Sequence, residues 1–171
     1  MTTEAEANKH VMLRFTEFIN TASEKLAEEL IAPNAVFHLP GRAEPVRGRT
    51  GYLEIIAMMR GGFPDIQWRL EETIAEGDMV AARFTMSGTH HHEAFFGVPP
   101  TGKAIEMQAM NFSRLSGGKF MEERGQPDLL SLLQQIGAVP SACRVSSAGG
   151  AFRFRSSLKE RSCESAFSVR D

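Results

Sequence analysis

The order of periodicities along the chain predicts an α+β fold: N-terminal helices packed on a curved, mainly antiparallel sheet. Two observations carry this. Apolar residues recur at helical spacing through the first part of the chain, and strict apolar/polar alternation replaces that spacing from "IQWRLEE" onward. A third bounds the size: 171 residues with 42% hydrophobic content suit one domain with its own core. A sheet curved over helices leaves a conical cavity between the two layers, a usual place for a small ligand.

Val11, Met12, Phe15, Phe18 and Ile19 place one stripe on a first helix. Thr21 with Glu24 reads as a capping box for a second, whose stripe is Leu26, Leu30 and Ile31, and Pro33 is expected to end it. "NAVFHLP" reads as a short strand and "GRAEPVRGR" as a loop. Thr50 is the expected cap of a third helix, "GYLEIIAMMRGGF", stopped by Gly61-Gly62 and Pro64. Alternation on both sides of Glu76-Gly77-Asp78 predicts a hairpin, and a second is expected around Ser116-Gly117-Gly118. "DLLSLLQQIG" is a short closing helix with Gly137 as its C-cap. Residues 1–140 thus form the domain. The last 31 residues hold 8 serines and 6 Lys+Arg without a period, and are expected to be a disordered tail.

Charge and cysteine use exclude several functions. Residues 1–140 hold 13 Lys+Arg against 18 Asp+Glu and no basic stripe, a poor match to nucleic acid or an anionic membrane. No apolar run is long enough to span a bilayer, and "MTTEAEANKH" is too acidic for a secretory signal, so the expected location is the cytoplasm. Both cysteines, Cys143 and Cys163, lie in the tail, which leaves the domain without a disulfide framework or thiolate chemistry.

Three of the five histidines adjoin in "GTHHHEAFFGVPPTGK". Successive strand residues face opposite ways, so only His90 and His92 could converge, and no second ligand cluster exists; no metal is expected. His91 and His92 read as solvated rim residues. His90 ends a strand near the cavity mouth, where an imidazole can accept, donate or carry a proton.

"FPDIQWRLEETIAEGDMVAARFTMSGTH", "GTHHHEAFFGVPPTGK" and "FSRLSGGKFMEERGQPDLLSLLQQIG" together resemble the SnoaL-like polyketide cyclase (ester cyclase) family, over roughly residues 8–140. That family has a cone-shaped α+β barrel, related to nuclear-transport-factor-2-like proteins and ketosteroid isomerases. The resemblance implies cofactor-free chemistry on a hydrophobic carbonyl or polyketide-like molecule: a carboxylate removes a proton next to a carbonyl, and the enolate closes a ring. It also implies a homodimer paired through the open face of the sheet.

One departure stands out. The cyclases carry an acid/base aspartate directly after an arginine on the last strand. Arg124 matches the arginine, but Gly125 follows it. A histidine that the cyclases carry on the preceding strand falls at Asn111. The expected catalytic groups are therefore His90 and Asp128, although Asp128 is equally placed to cap the closing helix. His38, Asn111 and Arg124 are expected polar binding groups, with Phe15, Met59, Trp68, Phe96 and Met110 as apolar wall. Glu106, Glu122 and Glu123 lie on strands; Glu122 and Arg124 share a face and would pair in the pocket if that face points inward. Two alternatives stay open. One is a non-catalytic binding module that kept the cone and lost the base. The other is epoxide hydrolysis, as in limonene-epoxide hydrolases, which needs an Asp-Arg-Asp set that Arg124 could join.

Overall fold

A computed structural model of the chain describes residues 3–140. The expected disordered tail, with Cys143 and Cys163, lies outside the described residues. The element order is α1 (Glu4–Thr21), α2 (Glu24–Leu30), β1 (Ile31–His38), β2 (Val46–Arg47), α3 (Gly48–Gly62), β3 (Gln67–Glu76), β4 (Met79–His90), β5 (Lys103–Ser116), β6 (Lys119–Pro127) and α4 (Leu129–Ile136).

Local chemistry sets these boundaries. Thr3 and Glu6 form a reciprocal capping box that starts α1. Ser23, not Thr21, caps α2: its hydroxyl accepts from the Leu26 amide. The chain leaves α2 directly into β1 at Ile31, so Pro33 sits within an extended strand rather than ending a helix. Inside "GRAEPVRGR" the chain adds β2, and α3 begins at Gly48, two residues before Thr50, without a side-chain cap. Asp128 and a left-handed Gly137 bracket α4, as their residue types predict.

The six strands form one sheet in the order β2-β1-β6-β5-β4-β3. All neighbours are antiparallel except β1 and β6, which run parallel. The sheet curves over α1 and α3 but does not close, since β2 and β3 are its two edges. Its inner face is read directly from burial: Val80, Ala82, Phe84 and Met86 on β4 meet Ile105, Met107, Ala109 and Ser113 on β5.

Aromatic rings tie the layers together. Phe15 of α1 stacks on Phe120 of β6 at 4.2 Å, and Tyr52 of α3 meets Phe37 of β1 edge-on at 4.5 Å. Burying each such ring stabilises the fold by about 1.5–3 kcal/mol before entropy is counted. Polar clamps fix the geometry. The Asn20 amide donates to the Trp68 carbonyl at 2.8 Å and its oxygen accepts from the Trp68 amide at 2.7 Å, pinning the end of α1 to β3. Arg60 of α3 donates to the Ile19 and Asn20 carbonyls that α1 leaves open.

Of the register shifts in the sheet, the one on β6 decides the site. On β6, Phe120 pairs with Leu115 of β5, but the next pair is Glu122 with Arg114. Met121 is the extra residue of a β-bulge. The bulge reverses the phase of β6, so Glu123 and Gly125 face inward with Phe120 while Glu122 and Arg124 face out.

Candidate active site

A cavity of about 650 Å³ lies between the inner face of the sheet, α1 and α3. Its walls are mainly apolar: Phe15 and Ile19 from α1, Ile55 and Met59 from α3, Trp68, Phe84 and Met107 from the sheet, and Phe95 and Phe96 from the loop after β4. Leu39 to Arg42 and Glu54 also border it. Apart from Arg42 and Glu54 at that border, the polar groups are concentrated in one place. Tyr52, Asn111 and Glu123 line the wall beside Gly125.

Glu123 is the centre of that group. It is only 5% exposed, on the inward face that the bulge creates. The Tyr52 hydroxyl donates to its Oε1 at 3.4 Å, and the Ser113 hydroxyl donates to its Oε2 at 3.2 Å. Ser113 stands directly across the ladder from Glu123, and Asn111 across from Gly125. Burial pushes the Glu123 carboxyl up to about 7, against hydrogen bonds from Ser113, Asn111 and Tyr52 that pull it down. The Tyr52 phenol is raised well above its ordinary value, by burial first and by the adjacent Glu123 second. It therefore keeps its proton and serves as a donor. The arrangement supplies one carboxylate poised near neutrality, flanked by neutral donors, in a largely apolar chamber. That is the environment a carbon-proton base requires.

Gly125 sits one strand repeat beyond Glu123 on the same face. A Cβ added there would meet Asn111 Oδ1 at 3.4 Å, an ordinary contact, so the position has room for a side chain. At the position where the resemblance implies an aspartate, Gly125 leaves cavity space rather than a structural defect.

The structure separates the residues the sequence grouped. Phe15, Met59, Trp68, Phe96 and Asn111 line the cavity. Met110 does not: β5 alternation puts it on the outer face, 56% exposed. His38 and Arg124 also leave the cavity. Both reach the same outward Glu122 carboxylate, at 3.2 and 2.7 Å: the bulge turns Glu122 and Arg124 out, and alternation on β1 turns His38 out next to buried Phe37. His90 is fully buried on the inner face but away from the cavity wall. Its ring lies 5.2 Å from that of Phe63, and its Nδ1 lies 3.2 Å from the Thr101 hydroxyl. Its carbonyl accepts from the Thr101 and Gly102 amides, so the residue closes the base of the loop from 91 to 102. Asp128 caps α4, accepting from the Ser131 amide at 3.0 Å. His91 and His92 are exposed, each with Nδ1 at a backbone carbonyl. Among the described residues no group of three or more His, Cys, Asp or Glu is arranged to hold a metal ion.

Sequence reasoning assigned no role to Glu123 or Tyr52. A signal for Glu123 was present: it lies two residues from Gly125 and so shares the face on which the resemblance places the missing acid. Nothing comparable marked Tyr52, which reaches Glu123 across 71 residues of sequence.

The chain matches the model of the family described as SnoaL-like polyketide cyclase over residues 9–136. It is similar to IdmH of Streptomyces antibioticus, described as a candidate polyketide cyclase, at 34% identity and a TM-score of 0.69, covering 76% of this chain and 98% of that one. A candidate polyketide cyclase of Bacillus cereus matches at 28% identity and a TM-score of 0.66, covering 80% and 84% of the two chains. A candidate SnoaL-like protein of Jannaschia shares the fold at a TM-score of 0.71 with 24% identity, covering 82% and 99%. Comparison with curated proteins found no match.

Proposed function

The chain belongs to the SnoaL-like polyketide cyclase family, and from that premise we propose that it catalyses proton transfer, without a cofactor, on a hydrophobic carbonyl or polyketide-like compound held in the cavity. The reaction is of the cyclase or isomerase type. The observation that carries this reading is the buried Glu123 carboxylate on the cavity wall, held by Tyr52 and Ser113.

In the proposed step, ionised Glu123 accepts a proton from a carbon next to the substrate carbonyl. The C–H electron pair moves into the enolate, whose oxygen takes hydrogen bonds from the Tyr52 hydroxyl and the Asn111 amide. The enolate carbon then attacks a second carbonyl of the same molecule, forming a C–C bond. The new alkoxide recovers the proton from Glu123. Reprotonation at a different carbon instead gives isomerisation. The apolar walls orient a folded substrate and exclude water. His90 and Asp128 have supporting roles in this scheme, as anchor of the loop after β4 and cap of α4.

The test uses 2-tetralone, a bicyclic aryl ketone with exchangeable α-hydrogens, in heavy water followed by NMR. Wild type is expected to speed exchange above buffer, and Glu123→Gln to lose about 10²–10⁴ of that acceleration. Exchange that survives Glu123→Gln undiminished removes Glu123 as the base.

Gly125 favours a second reading, a binding module of the same fold, because the acid position of the family is empty cavity. Saturable binding of 2-tetralone by wild type without any exchange above buffer selects this alternative. For epoxide hydrolysis, Arg124 is turned to the outer face, where it bonds Glu122.

A homodimer is also proposed. Its support is the outer face of the sheet, where Ile74, Met110 and Phe112 are 74%, 56% and 57% exposed. Ile74, Ala81 and Phe112 form one cross-strand row, and Met110 lies in the next. No helix among the described residues is long and apolar enough to cross a membrane.

A further inference from the structure

The loop after β4 contains a two-residue turn, Phe95-Phe96-Gly97-Val98. Phe95 and Val98 exchange both backbone hydrogen bonds, each at 3.0 Å. The two central residues have positive φ, +48° at Phe96 and +76° at Gly97. Such turns favour Asn-Gly, because asparagine and glycine enter the left-handed region readily and a bulky residue does not. Phenylalanine is therefore a poor choice for folding at this position.

Nor does burial explain it. Phe95 anchors the turn: it is 3% exposed, meets Phe63 edge-on at 5.0 Å and lies against Gly62, where an added Cβ would come within 3.1 Å of its ring. Phe96 is the opposite. It is 61% exposed, touches Phe95 edge-to-face at 4.8 Å, and borders the cavity. A strained backbone that presents an exposed apolar ring at a cavity edge marks a functional position.

We propose that Phe96 is a ligand-facing aromatic plate that selects flat, ring-bearing molecules for the cavity. It presupposes that the cavity is the ligand site, as proposed for the function. The rigid turn holds the plate at its place, so a planar ligand gains a stacking face without the entropic cost of ordering a loop. The rings of Trp68 and Phe84, which also line the cavity, supply further flat wall.

The experiment measures Kd by calorimetric titration for 2-naphthol, which is flat, and for decahydro-2-naphthol, which is of similar size but puckered. Wild type is expected to prefer 2-naphthol. Phe96→Asn is expected to weaken 2-naphthol binding about 3- to 10-fold, to leave decahydro-2-naphthol nearly unchanged, and to keep or raise the melting temperature. Phe96→Trp is expected to retain the preference, and Phe96→Leu to lose it. A Phe96→Asn protein that still prefers the flat compound overturns the proposal. So does one that loses both compounds while melting lower, because that result makes Phe96 a folding residue. Gly125→Leu, which adds a side chain elsewhere on the cavity wall, separates the two levels. If 2-naphthol binding ignores Gly125→Leu, or wild type binds neither compound, the cavity reading falls and the plate with it. If Gly125→Leu blocks binding and Phe96→Asn changes nothing, only the plate falls.

Discussion

The Tyr52 hydroxyl donates to Glu123 Oε1 at 3.4 Å, joining helix α3 to strand β6 at the cavity wall. The bond links two groups whose proton affinities burial raises together. The phenol stays a donor throughout the neutral range, while the carboxyl changes state within it. A buried carboxyl and a phenol that donates to it are thus set side by side on the cavity wall.

The raised carboxyl predicts a specific pH dependence. Glu123 moves from an ordinary 4.5 to about 7 in the folded chain. Between those values the unfolded chain is ionised and the folded chain holds its proton, so stability falls as pH rises and levels off above about 7. The difference corresponds to about 3 kcal/mol. Glu29, Asp65 and Glu71 are lowered and act with the opposite sign, losing their contribution as pH falls. Melting curves of wild type and Glu123→Gln therefore converge below about pH 4.5 in this contribution, and the variant gains relative stability toward pH 7. A constant difference across that window counts against a buried Glu123. The rate of 2-tetralone exchange is expected to rise with pH and plateau above about 7.

Returning an acid to the family's position tests the division of roles on β6. Gly125→Asp in a Glu123→Gln background puts a carboxylate on the same wall, beside Asn111. It is expected to recover at least tenfold of the lost exchange rate. In the Glu123 background the same change sets two carboxylates on one face, and like-charge repulsion shifts the rising limb of the pH profile upward. No recovery in the first background means that position on the wall alone does not make a base.

Asp128 is expected to matter for stability and not for rate. Its side chain accepts from the Ser131 amide at 3.0 Å and caps α4. Asp128→Ala is expected to cost about 1 kcal/mol, and Asp128→Asn much less, since asparagine caps as well. Exchange rates at a temperature where all three are folded should agree within twofold. A large rate loss in Asp128→Asn returns this residue to the catalytic set.

The exposed row on the sheet is expected to be covered by a second copy. Sedimentation of wild type should give twice the 18.9 kDa of one chain. Phe112→Glu, placed among Met110, Ile74 and the outward Arg124, should give the single-chain mass with helix and strand content intact. A wild-type chain that sediments singly rejects the dimer.

Much of this protein is legible in its sequence because the signals are local. Helical spacing, the Gly77-Asp78 and Gly117-Gly118 turns, and the Asp128 and Gly137 caps act within a few residues, so α1, both hairpins and α4 follow from residue type. The family resemblance adds the cone and the vacancy at Gly125. The site itself was not local. A single extra residue, Met121, reverses the phase of β6 and turns Glu123 inward and Arg124 out. Alternation counted from Phe120 gives the opposite assignment. Whether a strand slips by one is settled by its neighbours, here Arg114 and Leu115 on β5 and Val36 and Phe37 on β1. Only tertiary structure brings Tyr52 to Glu123, because that contact is made by packing a helix across a sheet. The resemblance implied that an acid is missing at Gly125; strand register decided which carboxylate stands beside the gap.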